Sequence, residues 1–169
     1  MSAQLRNYGG FALLAVLGAG PILALSVEER LDVSRIVDKT AAESILGEPV
    51  KVPTPRNRHG GDGYYSKCNY YSAASGKALI LRVYQAGAGF EAQKELDAVK
   101  ASTGVGKPVT GLGDKAEAYS GPDSGLPAKV AMLYVIKGNA LLTVGLSGLE
   151  EDTGLEKAKA IAEKILAQL

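Results

Sequence analysis

The stretch from position 130 to 146 constrains the fold more than any other part of the chain. Residues 130–136 and 140–146 are two runs of strand-forming residues joined by Lys137-Gly138-Asn139, a short glycine-containing reversal. In the returning run Leu142, Val144 and Leu146 alternate with Leu141, Thr143 and Gly145, which is the period of a strand. A tight hairpin is antiparallel by construction, whereas parallel strands need a long crossover. The chain therefore builds an antiparallel sheet, and its other segments must be compatible with one.

Residues 66–73 and 78–84 form a second strand pair around Ser75-Gly76, and residues 115–120 read as a further strand. Leu79, Leu81 and Val83 fall on one face of their strand, with Arg82 and Tyr84 on the other. Three segments carry the helical period instead. Thr40-Ala-Ala-Glu43 has capping-box spacing before the stripe Ala41, Ala42, Ile45, Leu46, which Gly47 and Pro49 end. Residues 90–102 place Ala92, Leu96 and Val99 on one side. The last segment has a second capping box, Thr153-Gly-Leu-Glu156, and the stripe Leu155, Ala158, Ala162, Ile165, Leu166, Leu169. Residues 31–37 read as a turn of helix or as an extended lead-in. Residues 53–63 (PTPRNRHGGDG) and the glycine-rich residues 104–113 read as irregular connections. The expected order is α-ββ-α-βββ-α, an α+β two-layer sandwich with helices packed on one face of an antiparallel sheet.

The N-terminus has the form of an export signal. Arg6 is followed by an uncharged apolar run at positions 11–25 (FALLAVLGAGPILAL), which closes on Ala24-Leu25-Ser26. The expectation is a cleaved signal peptide over residues 1–26, leaving residues 27–169 as a single α+β domain that is periplasmic or secreted. An uncleaved membrane anchor is the alternative, and it is the one route by which this chain would engage a membrane. Position 27 is Val, so the cysteine that lipidation needs is not there. Without residues 1–26 the chain has 18 basic and 18 acidic residues. Such a balance gives no electrostatic case for nucleic acid.

Cys68 is the single cysteine. It has three readings: a buried hydrophobe, a bridge to another chain, or a reactive thiol, with burial favoured on a strand pattern. A monomer is expected, with a disulfide-linked dimer through Cys68 as the alternative.

The succession Leu31-Asp-Val-Ser34, Thr40-Ala-Ala-Glu43, Ile45-Leu-Gly47-Glu-Pro49-Val50 and Ser66-Lys-Cys68-Asn-Tyr70 resembles a pattern in small exported bacterial proteins. Gly111-Leu-Gly113-Asp-Lys115-Ala and Leu133-Tyr-Val-Ile-Lys137-Gly138-Asn139 continue it. These are mostly uncharacterised lipoprotein-like and secreted domains, some with a Mog1/PsbP-like fold. In many of them a cysteine near the position of Ser34 bridges to one near that of Cys68, and serine here breaks that pairing. The resemblance implies an exported α+β domain and brings no chemistry with it.

Chemistry-bearing motifs are sparse. One histidine and one cysteine leave too few ligands for a zinc or copper site, and no metal or cofactor is expected. Gly87-Ala-Gly89-Phe-Glu-Ala92 fits a loose dinucleotide fingerprint, but its strand belongs to a hairpin and not to a βαβ unit. Ser147 lies in Gly145-Leu-Ser147-Gly148, which is not a nucleophile elbow. Glu150, Glu151 and Asp152 sit where a helix begins, and negative charge there complements the helix dipole. The strongest candidate is Arg56, Arg58, His59, Tyr64 and Tyr65, cations in a loop beside aromatic rings, with Lys67, Tyr70 and Tyr71 beyond. Such a group suits an anionic or sugar-like ligand, or a protein partner. The expected function is a non-catalytic binding or interaction module that takes an envelope ligand or protein. The alternatives are a hydrolase using carboxylates or His59, and a structural envelope component.

Overall fold

The computed structural model describes residues 30–104 and 106–169. The expected signal segment, residues 1–26, lies outside them. Among the described residues the chain forms one seven-stranded antiparallel sheet and four α-helices, a mixed α+β fold.

Two meanders make the sheet. The first is β1 (Arg56–His59), β2 (Gly63–Tyr71) and β3 (Ala78–Ala86). The second is β4 (Lys107–Val109), β5 (Lys115–Ser120), β6 (Val130–Lys137) and β7 (Ala140–Ser147). They join through β3 and β7, giving the order β1-β2-β3-β7-β6-β5-β4. The hairpin expected from the sequence is present, with Leu133 opposite Val144 and Val135 opposite Leu142.

Two strands stand where irregular connections were expected, β1 within residues 53–63 and β4 within residues 104–113. They are the two edges of the sheet. Edge strands are kept short, charged or proline-bearing to discourage pairing with other chains, so the residues that protect them also hide them. Residues 31–37 resolve into a single helical turn, α1 (Val33–Ile36). In α2 (Lys39–Leu46) the cap is Asp38, whose Oδ1 accepts from the Ala41 amide at 2.8 Å. Thr40 thus lies inside the helix, not at its cap. Thr153 is likewise inside α4 (Glu151–Leu166), which Glu150 opens without a side-chain capping bond.

The main core fills the space between one sheet face and α1, α2 and α4. Leu79, Leu81 and Val83 meet Leu133, Val135, Leu142 and Val144 there, and Ala158, Ala162 and Ile165 of α4 cover them. A fully buried Leu or Ile side chain contributes roughly 1.5–3 kcal/mol, so this layer dominates the stability. Cys68 is buried in it without exposure, in the manner of a small hydrophobe. The Tyr70 hydroxyl donates to the Val37 carbonyl, which anchors the link between α1 and α2. Lys157 Nζ donates to the Ile45 carbonyl and ties α4 to α2.

The helices are not all on one face. α3 (Ala92–Thr103) lies on the other, where Ala92 and Leu96 pack against Tyr84, Ala86, Ile136 and Leu141. The reason is that this end of β3, β6 and β7 is apolar on both faces and needs a second cover. Both ends of α3 are pinned. The Asn139 Oδ1 accepts from the Ala92 amide at 3.1 Å, while its Nδ2 donates to the Ala86 and Phe90 carbonyls. At the far end Lys100 reaches the buried Glu117 of β5 at 2.5 Å. α3 covers only part of this second face, and β1 and β2 remain open there.

Candidate functional site

The open part of the second face is a groove of about 770 Å³. Strand alternation decides what it contains. In β2 the core face takes Ser66, Cys68 and Tyr70, so Tyr65, Lys67, Asn69 and Tyr71 point the other way. Arg56 and Arg58 of β1 sit opposite Lys67 and Tyr65, and Arg82 of β3 sits opposite Lys67 on its other side. Val52 and Thr54 complete the wall.

Four of these lining residues are cations and none is an acid. Arg82 makes one ion pair at the rim, 3.6 Å from Glu95 of α3. Tyr65 organises the arginines. The Arg58 guanidinium lies 4.8 Å from the Tyr65 ring centroid and that of Arg82 lies 5.2 Å away, both within cation–π range. The Tyr65 ring also stacks on Tyr84, with centroids 4.7 Å apart. Its hydroxyl donates to the Asp62 carboxylate, and the Tyr84 hydroxyl donates to the Asp62 carbonyl at 2.9 Å. Together these bonds hold the β1–β2 turn down against the sheet. Burial first, then the Asp62 carboxylate, pushes the Tyr65 phenol up to about 12, so it remains a neutral donor.

Gly63 makes that turn sterically feasible. Its φ is +152°, and a Cβ there would stand 2.3 Å from the Gln85 carbonyl oxygen. At the other end of the groove Tyr71 is half-exposed and Val52 is 86% exposed, an apolar margin beside the cations. Asn69 Nδ2 donates to the Tyr71 hydroxyl at 2.8 Å and fixes its position. The Asn69 Oδ1 is shielded from solvent and has no donor within reach.

The five residues expected from the sequence divide between two faces. Arg56, Arg58 and Tyr65 share the groove. His59 and Tyr64 oppose each other one register step away, on the side of the helices. His59 Nε2 is 2.8 Å from the Arg30 guanidinium, and its ring lies 5.1 Å from that of Tyr64. Tyr70 is in the core. Sequence reasoning left out Asn69 and Arg82. The parity of β2 contains the signal for the first, but Arg82 joins the site only through a strand register that no local motif reveals.

Other chemical groups have local work. Glu150 pairs with Lys129 at 2.8 Å beside the start of α4, and Glu151 and Asp152 are in its first turn. Burial pushes the Cys68 thiol up, which leaves it protonated and a poor nucleophile. Among the described residues no group of three His, Cys, Asp or Glu is placed to hold a metal ion, and no helix is long and apolar enough to cross a membrane. A second concavity of about 600 Å³ lies near Asp114, Lys137 and Asn139, with both signs of charge in its wall. Its charged groups are engaged within the fold, Asp114 accepting from the Gly138 amide and Lys137 donating to the Leu166 carbonyl.

No protein-family model, curated protein or solved structure matches the chain.

Proposed function

We propose that the protein is an exported, non-catalytic binding module of the cell envelope, and that the groove across β1, β2 and β3 takes an anionic ligand. One observation carries this reading. Arg56, Arg58, Lys67 and Arg82 converge on a single concave surface whose lining contains no carboxylate. Charge-assisted hydrogen bonds from such donors are about twice as strong as neutral ones, and arginine forks suit carboxylates, sulfates and phosphates. The groove also contains no nucleophile with an adjacent base, which favours binding over turnover.

Export rests on the signal-like residues 1–26, and the resemblance to small exported lipoprotein-like domains with a Mog1/PsbP-like fold belongs to the same reading. In this reading the protein is a monomer, and the burial of its lone thiol argues against a disulfide-linked dimer.

The test is a residue-resolved NMR titration with pyrophosphate and with polygalacturonate at low ionic strength. Amide shifts should concentrate on β1, β2 and β3. The double substitution Arg58→Gln with Arg82→Gln should weaken binding about tenfold. If no anion perturbs these strands, or if the double variant binds as well as the native chain, the reading fails.

A further inference from the structure

We infer that the ligand of this groove is a linear acidic glycan laid across the strands, with successive charged sugars taken by Arg56, Lys67 and Arg82. The inference rests on the anion-binding reading above and deepens it. Its basis is the register. Arg56 is directly opposite Lys67, and Lys67 is directly opposite Arg82, so three cations form a straight row perpendicular to the strands. Adjacent strands lie about 4.7–4.9 Å apart, which sets the spacing of the row's backbone anchors. That spacing is close to the advance per sugar ring in an extended glycan.

Like charges directly opposite one another destabilise a sheet. Among the described residues Arg82 has an acidic partner in Glu95, and no ion pair reaches Arg56 or Lys67. A small anion engages only part of such a row, whereas a chain with a charge on every unit neutralises all of it.

The flanks of the row suit sugars. On one side Arg58 is held by the Tyr65 ring and adds a fourth cation. On the other side are the Tyr71 ring, the Thr54 hydroxyl and the Asn69 amide group. Sugars present an apolar face together with hydroxyl groups, and the half-exposed Tyr71 ring beside the Asn69 amide offers a surface for each. Overall the chain carries 19 basic and 18 acidic residues, so it lacks the broad positive field that nucleic-acid binding uses. The row is open where β1 forms the sheet edge and is bounded by α3 beyond Arg82, through Glu95. A chain thus runs out over β1, with about three of its sugars over the cations.

Calorimetric titration with oligogalacturonates of one, two, three and six units tests this. Affinity should rise about tenfold or more from the monomer to the trimer and then level off. A neutral cello-oligosaccharide of matching length should not bind. Lys67→Gln should abolish most of the length dependence, and Arg56→Gln on the exposed edge strand should reproduce that loss without touching the core. Circular-dichroism melts confirm that each variant is folded. Equal affinity for monomer and trimer overturns the inference, as does tighter binding of oligothymidylate or of phosphatidylglycerol vesicles than of the trimer. If pyrophosphate binds these strands and no oligogalacturonate does, the glycan inference alone falls. If neither binds, the anion-binding reading falls with it.

Discussion

Lys67 and Arg82 stand directly opposite each other across the β2–β3 ladder, two like charges on adjacent strands of the same open face. With Arg56 on the far side of Lys67, the middle cation has a positive neighbour on both strands. Removing it relieves both repulsions. Lys67→Gln is therefore expected to raise the melting temperature by about 1–2 °C while weakening anion binding. Thermal unfolding at low ionic strength, repeated in high salt, checks this. The gain should shrink in salt because the repulsion is screened.

His59 and Arg58 are neighbours in sequence and belong to different faces. His59→Ala should leave pyrophosphate or polygalacturonate affinity unchanged, because His59 sits on the helix side beside Arg30 and Tyr64. Arg58→Gln should lower it several-fold, since this guanidinium lies over Tyr65 in the groove. Equal losses for the two variants would place the ligand on the β1 edge and not on one face.

Tyr70→Phe removes the hydroxyl that donates to the buried Val37 carbonyl. An acceptor left without a donor is expensive, and the substitution should cost about 1–3 kcal/mol. Urea denaturation should show a lower midpoint with an unchanged slope, since the surface exposed on unfolding stays the same.

Stability should fall in alkali. Burial raises the phenols of Tyr70, Tyr84, Tyr119 and Tyr134, and burial with the Asp62 carboxylate raises that of Tyr65 to about 12. Burial also raises the Cys68 thiol. Unfolded, a thiol ionises near pH 8.5 and a phenol near pH 10, as free side chains do. Above those values the folded state keeps more protons than the unfolded one, so the unfolding free energy declines with pH. Below about pH 8 this contribution is fully present. Denaturant midpoints between pH 7 and 11 should drop progressively, and absorbance at 295 nm should show tyrosine ionisation arriving largely with unfolding. Full tyrosine titration in a still-folded protein would contradict the buried hydroxyls.

The central part of the fold was legible because its residues state their faces. Leu79, Leu81 and Val83, like Leu142, Val144 and Leu146, alternate with a period of two and meet under α4 as that pattern requires. The edges were not, since Arg56-Asn-Arg-His59 and Lys107-Pro-Val109 become strands only through the partners that pair with them. The side taken by α3 depends on Tyr84, Ala86, Ile136 and Leu141, which three strands bring together. In the candidate site, proximity in sequence grouped Arg58 with His59 and Tyr65 with Tyr64. Parity separates both pairs, and register brings in Arg82 from 24 positions beyond Arg58.

The partial cover supplied by α3 separates two tasks that many small domains combine. One half of the second face completes the interior, and the other half is free of that duty. Side chains at positions 67, 69 and 71 project from β2, whose alternate residues Ser66, Cys68 and Tyr70 are buried beneath, and those at 56 and 58 project from the exposed edge strand β1 that pairs with it. Their identities can drift, or be randomised in a library, with little penalty to folding. The scaffold is thus suited to acquiring new specificities by point replacement, with each descendant displaying a different surface on the same frame.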